Sequence, residues 1–318
     1  MQKSAKPLPR HIPDFLDWLD VEKGLSSKTQ ENYSRFLKRF IGWLSVNNLS
    51  DLTPHNLTSE HIWKYRVFLS RHHRAHSPAG LKKSTQNYYL IALRSLLNYF
   101  AERDILSLPA EKIKLARNKA DKQVRFLTLE QLEKLFAVPN TSTLQGLRDR
   151  AIVEVFFSTG MRIAELTALD REQIKIPKDG KALELGIVGK GGRTRTVYFS
   201  ERALSWMRKY LESRLDQDKA LFVNYRRRKD APFRLSPRSI EKMIKKYALL
   251  AGLPITTTPH VMRHSFATDL LSQGVDIRIL QEFLGHKSIA ATEIYAHVTS
   301  KRLREIHQKF HGGKSIKN

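Results

Sequence analysis

From Tyr33 to Leu44 the apolar residues Tyr33, Phe36, Leu37, Phe40, Ile41 and Leu44 return at spacings of three and four, with Arg35, Lys38 and Arg39 between them. That period lines the apolar set along one face of a helix and turns the cations away from it. Phe15, Leu16 and Leu19 predict a shorter helix before it, closed at Gly24, and Ser27 with Gln30 has the capping-box spacing that opens the longer one. Ile62, Tyr65, Phe68 and Leu69 predict a third helix, and Leu93, Leu96, Leu97 and Phe100 a fourth. Residues 1–105 therefore read as a helical bundle behind a basic, proline-containing leader. The polar loop RHHRAHSPAGLKKS sets His72 and His76 at i and i+4, a spacing open to a metal. No third ligand or acidic neighbour accompanies them, and an exposed basic loop near phosphate is the simpler reading.

The stretch LSLPAEKIKLARNKADKQVR is rich in charge and poor in large apolar residues, so residues 106–126 read as an interdomain linker. A second domain, 127–318, opens with Thr128 and Gln131 at capping-box spacing and continues through the apolar run Ile152, Val153, Val155, Phe156 and Phe157. The helical pattern then breaks: ALELGIV and RTRTVYF flank the turn GKGG, which predicts a β-hairpin. Ser236, Thr258 and Asp276 read as helix N-caps, and Gly274 and Gly285 as C-terminal stops. The fold class expected is mainly α: a helical N-terminal bundle followed by a mixed, mostly α domain with one small β element.

Composition narrows the partner. Fifty-six Lys and Arg stand against 31 Asp and Glu in 318 residues, a formal charge of +25. Such an excess points to a polyanion, nucleic acid before an acidic membrane, rather than to a small-molecule substrate. The absence of cysteine excludes disulfides, thiolate zinc sites and cysteine nucleophiles. Neither an apolar leader nor a run of 18 uncharged apolar residues occurs, so a cytoplasmic protein with no membrane partner is expected.

Zinc-protease, nucleophile-elbow and phosphate-loop motifs are missing, and GKGG joins strands rather than opening a helix. What remains is a cationic set in the second domain: Arg162, Lys190, His260, Arg263 and His286, followed by Tyr295. A phosphodiester attacked by a side chain places negative charge on two non-bridging oxygens, and paired guanidiniums bind these without losing protons. His260 and Arg263 stand three apart on one helix face; imidazoles serve as base or donor, and a hairpin lysine can protonate the leaving 5′ oxygen. Tyr295 would be the nucleophile, conserving the bond energy as a phosphotyrosine, so that neither ATP nor a metal nor any other cofactor is called for. His264 is read as lying on a different face from His260, where it supports the site or packs rather than taking part in the chemistry. Arg193 and Arg195 are read as DNA-backbone contacts, and the RRRK run at 226–229 in the same way or as a plain solvated loop.

The strings TGMRIAEL, GKGG, HVMRHSFAT and LGHKSIAATEIYAHV resemble the signature of the tyrosine recombinases, the phage integrase family, and the opening FLDWLDVEKGLSSKTQENYSRFLKRF is most similar to its Xer-type members. The resemblance implies a core-binding N-terminal domain and the catalytic fold of that family. It implies that Arg162 and Arg263 clamp the phosphate, that Lys190 is the general acid, and that His260 is a general base or phosphate donor. His286 takes the second histidine position, Tyr295 forms a 3′-phosphotyrosine, and Glu165 supports the site.

Two basic domains joined by a linker read as a clamp on double-stranded DNA, an inverted repeat is the site expected of a site-specific recombinase, and the resemblance implies a homotetramer on two DNA sites. The segment after Tyr295 has an amphipathic core at Leu303, Ile306 and Phe310, open to packing on its own domain; the resemblance implies instead that it docks on a neighbouring protomer, and leaves open a paralogous recombinase or a DNA translocase as further partners. Chromosome dimer resolution is the task expected. Three alternatives stand beside it: integration or excision of a mobile element, relaxation of supercoils in the manner of a type IB topoisomerase, and a non-catalytic DNA-binding regulator.

Overall fold

The computed structural model describes the chain apart from residues 72, 75–76, 117–124, 190–191, 227–230, 287, 289–290, 293–294 and 296–318, and the side chains of 73–74 and 77–79. The chain divides into two units, Met1–Asp121 and Lys122–Asn318.

The first unit holds α1 (Ile12–Val21), α2 (Ser27–Val46), α3 (Ser59–Arg71) and α4 (Lys83–Glu102), with a short antiparallel pair, β1 (His73–Arg74) and β2 (Ser77–Gly80), between the last two helices. The three-and-four spacing does what it predicts: α2 buries Leu37, Phe40, Trp43 and Leu44, and α4 buries Leu90, Leu93, Leu96, Leu97 and Phe100. Aromatic rings fill much of the space between them. Phe15 meets Trp18, Tyr33 and Tyr99, and Phe40 meets Tyr65 edge-on at 4.9 Å, contacts worth about 0.5–1.5 kcal/mol each beyond the area they bury. The leader is part of this unit, since Leu8 is buried and Gln2 pairs with Ile105.

Two expectations change here. The cap of α2 is Ser26, one residue early, and no side chain closes a box; Gln30 instead donates to Asp20 and to the Leu25 carbonyl, tying α2 back to α1. The stretch read as a linker begins as packed chain. Ala110 and Ile113 are buried in the first core, and Asn87 holds both the amide and the carbonyl of Ala116. A few small or branched side chains fill gaps that an apolar count over the whole segment does not register. The residues following 116, with those of the paired imidazole motif at 72 and 76, fall outside the described residues.

The second unit runs α5 (Leu129–Ala137), α6 (Leu144–Thr159), α7 (Ile163–Ala168), the hairpin β3 (Leu183–Val188) and β4 (Thr194–Phe199), α8 (Glu201–Glu212), α9 (Pro237–Leu250), α10 (Pro259–Ser272) and α11 (Ile277–Leu284). The predicted caps form: Thr128 with Gln131 closes a full capping box, and Ser236, Thr258 and Asp276 each accept a first-turn amide. The hairpin pairs in register from Leu183 with Phe199 to Val188 with Thr194, and it turns Ile187, Val197 and Phe199 into the core. At the centre lies α6, packed by α5, α8, α10 and β4, so that none of residues 145–159 is exposed. A helix covered on all sides must satisfy its buried polar groups internally. Arg148 and Asp149 pair at 2.5 Å, Tyr247 donates to Asp149 at 2.6 Å, and Arg150 and Arg202 both donate to Glu154.

Among the described residues no helix is long and apolar enough to cross a membrane.

Candidate active site

The site begins where α6 ends. Gly160 takes a left-handed φ of 57°, which a side chain resists and which reverses the chain so that Arg162 sits at the N-cap of α7. Glu165, three residues on, reaches back to the Arg162 amide at 2.7 Å and takes its guanidinium at 2.9 Å. Burial alone would raise the Glu165 carboxyl. The charged bonds from Arg195 and Arg162 outweigh it and hold the group at about 2.

Arg195, on β4, corrects an expectation. Its side chain is 9% exposed and committed inward: both terminal nitrogens donate to Glu165, at 2.9 and 2.7 Å, and Nε donates to the Phe283 carbonyl at 3.0 Å. A buried carboxylate draws this guanidinium in, so it has no reach to a DNA backbone. Gly285 makes room for it, since a Cβ there would lie 2.8 Å from the Arg195 Cδ. Arg193, two residues earlier, stays exposed and lines an open cleft with Arg278 and His286. Lys190 lies outside the described residues, as do most of the RRRK run and the segment expected to form a docking tail; Arg226, at the head of that run, is exposed.

Thr258 starts α10, and the helix sends Arg263 inward to 3% exposure. Its Nη1 donates to the Gly160 carbonyl at 2.6 Å, and its Nη2 donates to Leu284 at 2.5 Å and to Nε2 of His286 at 3.2 Å. Burial, with the nearby cations Arg162 and Arg195, pushes this guanidinium down to about 9, still charged at pH 7. Because a guanidinium only donates, His286 Nε2 must accept, so its proton sits on Nδ1 and goes to Thr292 Oγ1 at 2.9 Å. Burial and the same cations hold His286 down to about 4, neutral at pH 7.

His264 corrects a second expectation. Residues four apart share a helix face, and the His260 and His264 rings stand edge to face with centroids 4.3 Å apart. His260 is exposed at the helix start. His264 points to Tyr295, with Nδ1 2.5 Å from the phenol oxygen. Tyr295 is 1% exposed, walled by Ala267, Leu271, Leu280 and Leu284, and burial pushes its phenol up to about 12. His264 is held down to about 4 by burial and by His260, Arg263 and His286.

The structure thus gathers Arg162, Glu165, Arg195, His260, Arg263, His264, His286 and Tyr295 around the ends of α6, α10 and α11. Two partners had no signal in the sequence. One is Thr292, a lone hydroxyl with no pattern around it, and the other is the pair of carbonyls, Gly160 and Leu284, that hold Arg263. Among the described residues no cluster of three or more His, Asp or Glu has the makings of a metal site. The arrangement is a cationic, hydrogen-bonded pocket beside a buried phenol, suited to a doubly held oxyanion and a phenolic nucleophile.

Comparison with known proteins carries the reading to the whole chain. The model of the phage integrase family matches residues 125–302, and that of the phage integrase N-terminal SAM-like domain matches 12–104. Tyrosine recombinase XerD of Lacticaseibacillus casei is 33% identical over 309 residues, covering 94% of this chain and 98% of that protein. Tyrosine recombinase XerC of Pelotomaculum thermopropionicum is 33% identical over 314 residues, 95% and 97% of the two. Among solved structures, XerH site-specific recombinase bound to palindromic difH substrate, in a post-cleavage complex, superposes with a TM-score of 0.70 at 23% identity, covering 96% of this chain and 90% of that one. A lambda integrase dimer bound to a COC′ core site gives 0.66 at 17% identity, covering 93% and 78%. These two likenesses establish the fold, mainly helical with a small hairpin. With both family models matched in order and relatives a third identical along nearly their full length, the chain belongs to the phage integrase family, that of the tyrosine recombinases.

Proposed function

We propose that this chain is a Xer-type site-specific recombinase that cuts and rejoins double-stranded DNA through Tyr295. The observation that carries the reading is the meeting of Arg162 and Arg263 with His286 at the end of α11, in the pocket where Tyr295 is bonded to His264. A scissile phosphate bound there offers its non-bridging oxygens to the two guanidiniums. The Tyr295 oxygen bonds to phosphorus, the bond to the 5′ oxygen breaks, and that oxygen takes a proton from Lys190. The product is a 3′-phosphotyrosine and a free 5′ hydroxyl; attack by a 5′ hydroxyl from a partner duplex reverses the step with the proton flow inverted. His260 faces the incoming phosphate, His286 orients Arg263, and Glu165 orients Arg162.

The cationic composition supplies the affinity for duplex, which is salt-dependent because it rests on counterion release. Arg193 and Arg278, on the open cleft, are the described side chains placed to meet backbone phosphates. The division into two units favours binding an inverted repeat through both, with four protomers on two sites. End-to-end similarity to XerD and XerC favours chromosome dimer resolution, with a paralogous recombinase or a DNA translocase as partner.

The test is covalent capture: the protein is incubated with sheared genomic DNA in EDTA, quenched with detergent, and the protein-linked fragments are sequenced beside those from Tyr295→Phe. Enrichment at one inverted repeat that disappears in Tyr295→Phe is expected. Its place in the chromosome or in a mobile element assigns the task. Scattered adducts make the chain a topoisomerase, and adducts that persist in Tyr295→Phe overturn the reading.

A further inference from the structure

We infer that His264, through Nδ1, is the group that takes the phenolic proton of Tyr295 as the tyrosine oxygen bonds to phosphorus. The inference rests on the function proposed above and assigns a step that the resemblance leaves to His260.

The proton has few places to go. Tyr295 is walled by Leu271, Leu280 and Leu284, so bulk water does not receive it. Of the described groups near the phenol, Arg263 only donates, and His286 has both ring nitrogens engaged, Nε2 by Arg263 and Nδ1 by Thr292. His260 stands against His264 and not against the tyrosine. The imidazole of His264 lies 2.5 Å from the phenol oxygen, within reach of direct transfer.

The charges around His264 explain why transfer waits for DNA. His260 and Arg263 on its own helix and His286 beyond α11 all disfavour a second positive charge, and the ring is neutral at pH 7. A phosphodiester held by Arg162 and Arg263 brings a negative charge into that field and makes the imidazole a stronger base. In the balanced step the Tyr295 O–H bond breaks and its proton passes to Nδ1. The oxygen–phosphorus bond forms, and the phosphorus–5′ oxygen bond breaks as that oxygen takes the proton assigned above to Lys190. The exposed ring of His260, against that of His264, then offers a way out to solvent.

The experiment uses the full chain and three variants. His264→Asn places an amide oxygen near the position of Nδ1, so it keeps an acceptor but not a base, whereas His264→Ala removes both; Tyr295→Phe removes the proton. Nitrogen-15 histidine spectra of the free protein at pH 7 read the hydrogen bond without DNA. A shift at His264 Nδ1 between wild type and Tyr295→Phe is expected, and no shift overturns the inference. Initial rates of adduct formation on sheared genomic DNA from pH 6 to 9 read the role. The wild-type rate should be flat, and His264→Asn should be slower by about 10²–10⁴-fold at pH 7, rising with pH as ionisation of the phenol replaces the base. Rescue of a flat profile by His264→Asn, within about threefold of wild type, would mean that His264 merely holds the ring in place, and would overturn the inference. A wild-type chain giving no Tyr295-dependent adduct sinks the recombinase reading and the transfer role together, while the spectra still decide the bond.

Discussion

Arg195 takes both oxygens of Glu165, Nη1 on Oε1 at 2.9 Å and Nη2 on Oε2 at 2.7 Å, across 30 residues of chain. The pair fastens the β-hairpin to the start of α7, and the Arg195 bond to the Phe283 carbonyl fastens both to α11. Removing the acid leaves the buried Arg195 guanidinium without a counter-charge and facing that of the half-buried Arg162. Glu165→Gln should therefore cost about 3–5 kcal/mol of unfolding free energy in urea, whereas Arg195→Lys, which keeps the charge but not the fork, should cost about 1–3 kcal/mol.

The same carboxylate sets an acid limit. Its folded value is near 2 against an ordinary 4.5, so the stability it gives is complete above pH 4.5 and is lost as pH falls towards 2. Unfolding free energies at pH 5 and pH 3 should differ by about 2 kcal/mol more in wild type than in Glu165→Gln.

A second window lies higher. His264 and His286 are each held near 4 against an ordinary 6.5, so the unfolded chain takes up protons that the folded chain refuses. Stability from these two rings is complete above pH 6.5 and falls as pH drops towards 4. The urea midpoint should fall between pH 7 and pH 5, and the double variant His264→Asn with His286→Asn should flatten that fall.

Gly160→Ala tests the turn that presents Arg162. The new Cβ would lie 2.3 Å from the Phe266 ring, in a left-handed backbone at φ 57°. Strain and clash together should cost at least about 2 kcal/mol and move the carbonyl that holds Arg263, so adduct formation should fall further than stability alone accounts for.

Asp149→Asn should cost about 3–5 kcal/mol without touching the pocket, because it leaves Arg148 a buried charge with no counter-charge. A melting curve checks the loss. Adduct formation per folded molecule should stay at the wild-type level.

Helix faces, caps and the hairpin were legible in the sequence because each is a local matter: Phe36, Phe40 and Leu44 need only their spacing, and Thr128 needs only Gln131. The cap at Ser26 was displaced by a contact between helices, since Gln30 found Asp20 and Leu25 across the turn. Arg195 stands two residues after the exposed Arg193, and nothing near it in the sequence announces a carboxylate 30 residues upstream. His264 is a different case. Its four-residue step from His260 was in view, and helical geometry alone places both rings on one face. The packing of Ala110 and Ile113 was hidden by averaging over a charged segment.

Because residues 145–159 of α6 are all buried or half-buried and Gly160 at its end carries the carbonyl that holds Arg263, this helix is the fixed edge from which the pocket is measured. A surface helix can drift by an ångström at the expense of a few water contacts. This one cannot move without repacking α5, α8, α10 and β4 together. Substitutions on α6 that change the volume it fills should thus act as errors in the pocket's alignment even where they never approach it, whereas Asp149→Asn keeps the shape, and the sequence of that helix is answerable to the chemistry as much as to the core.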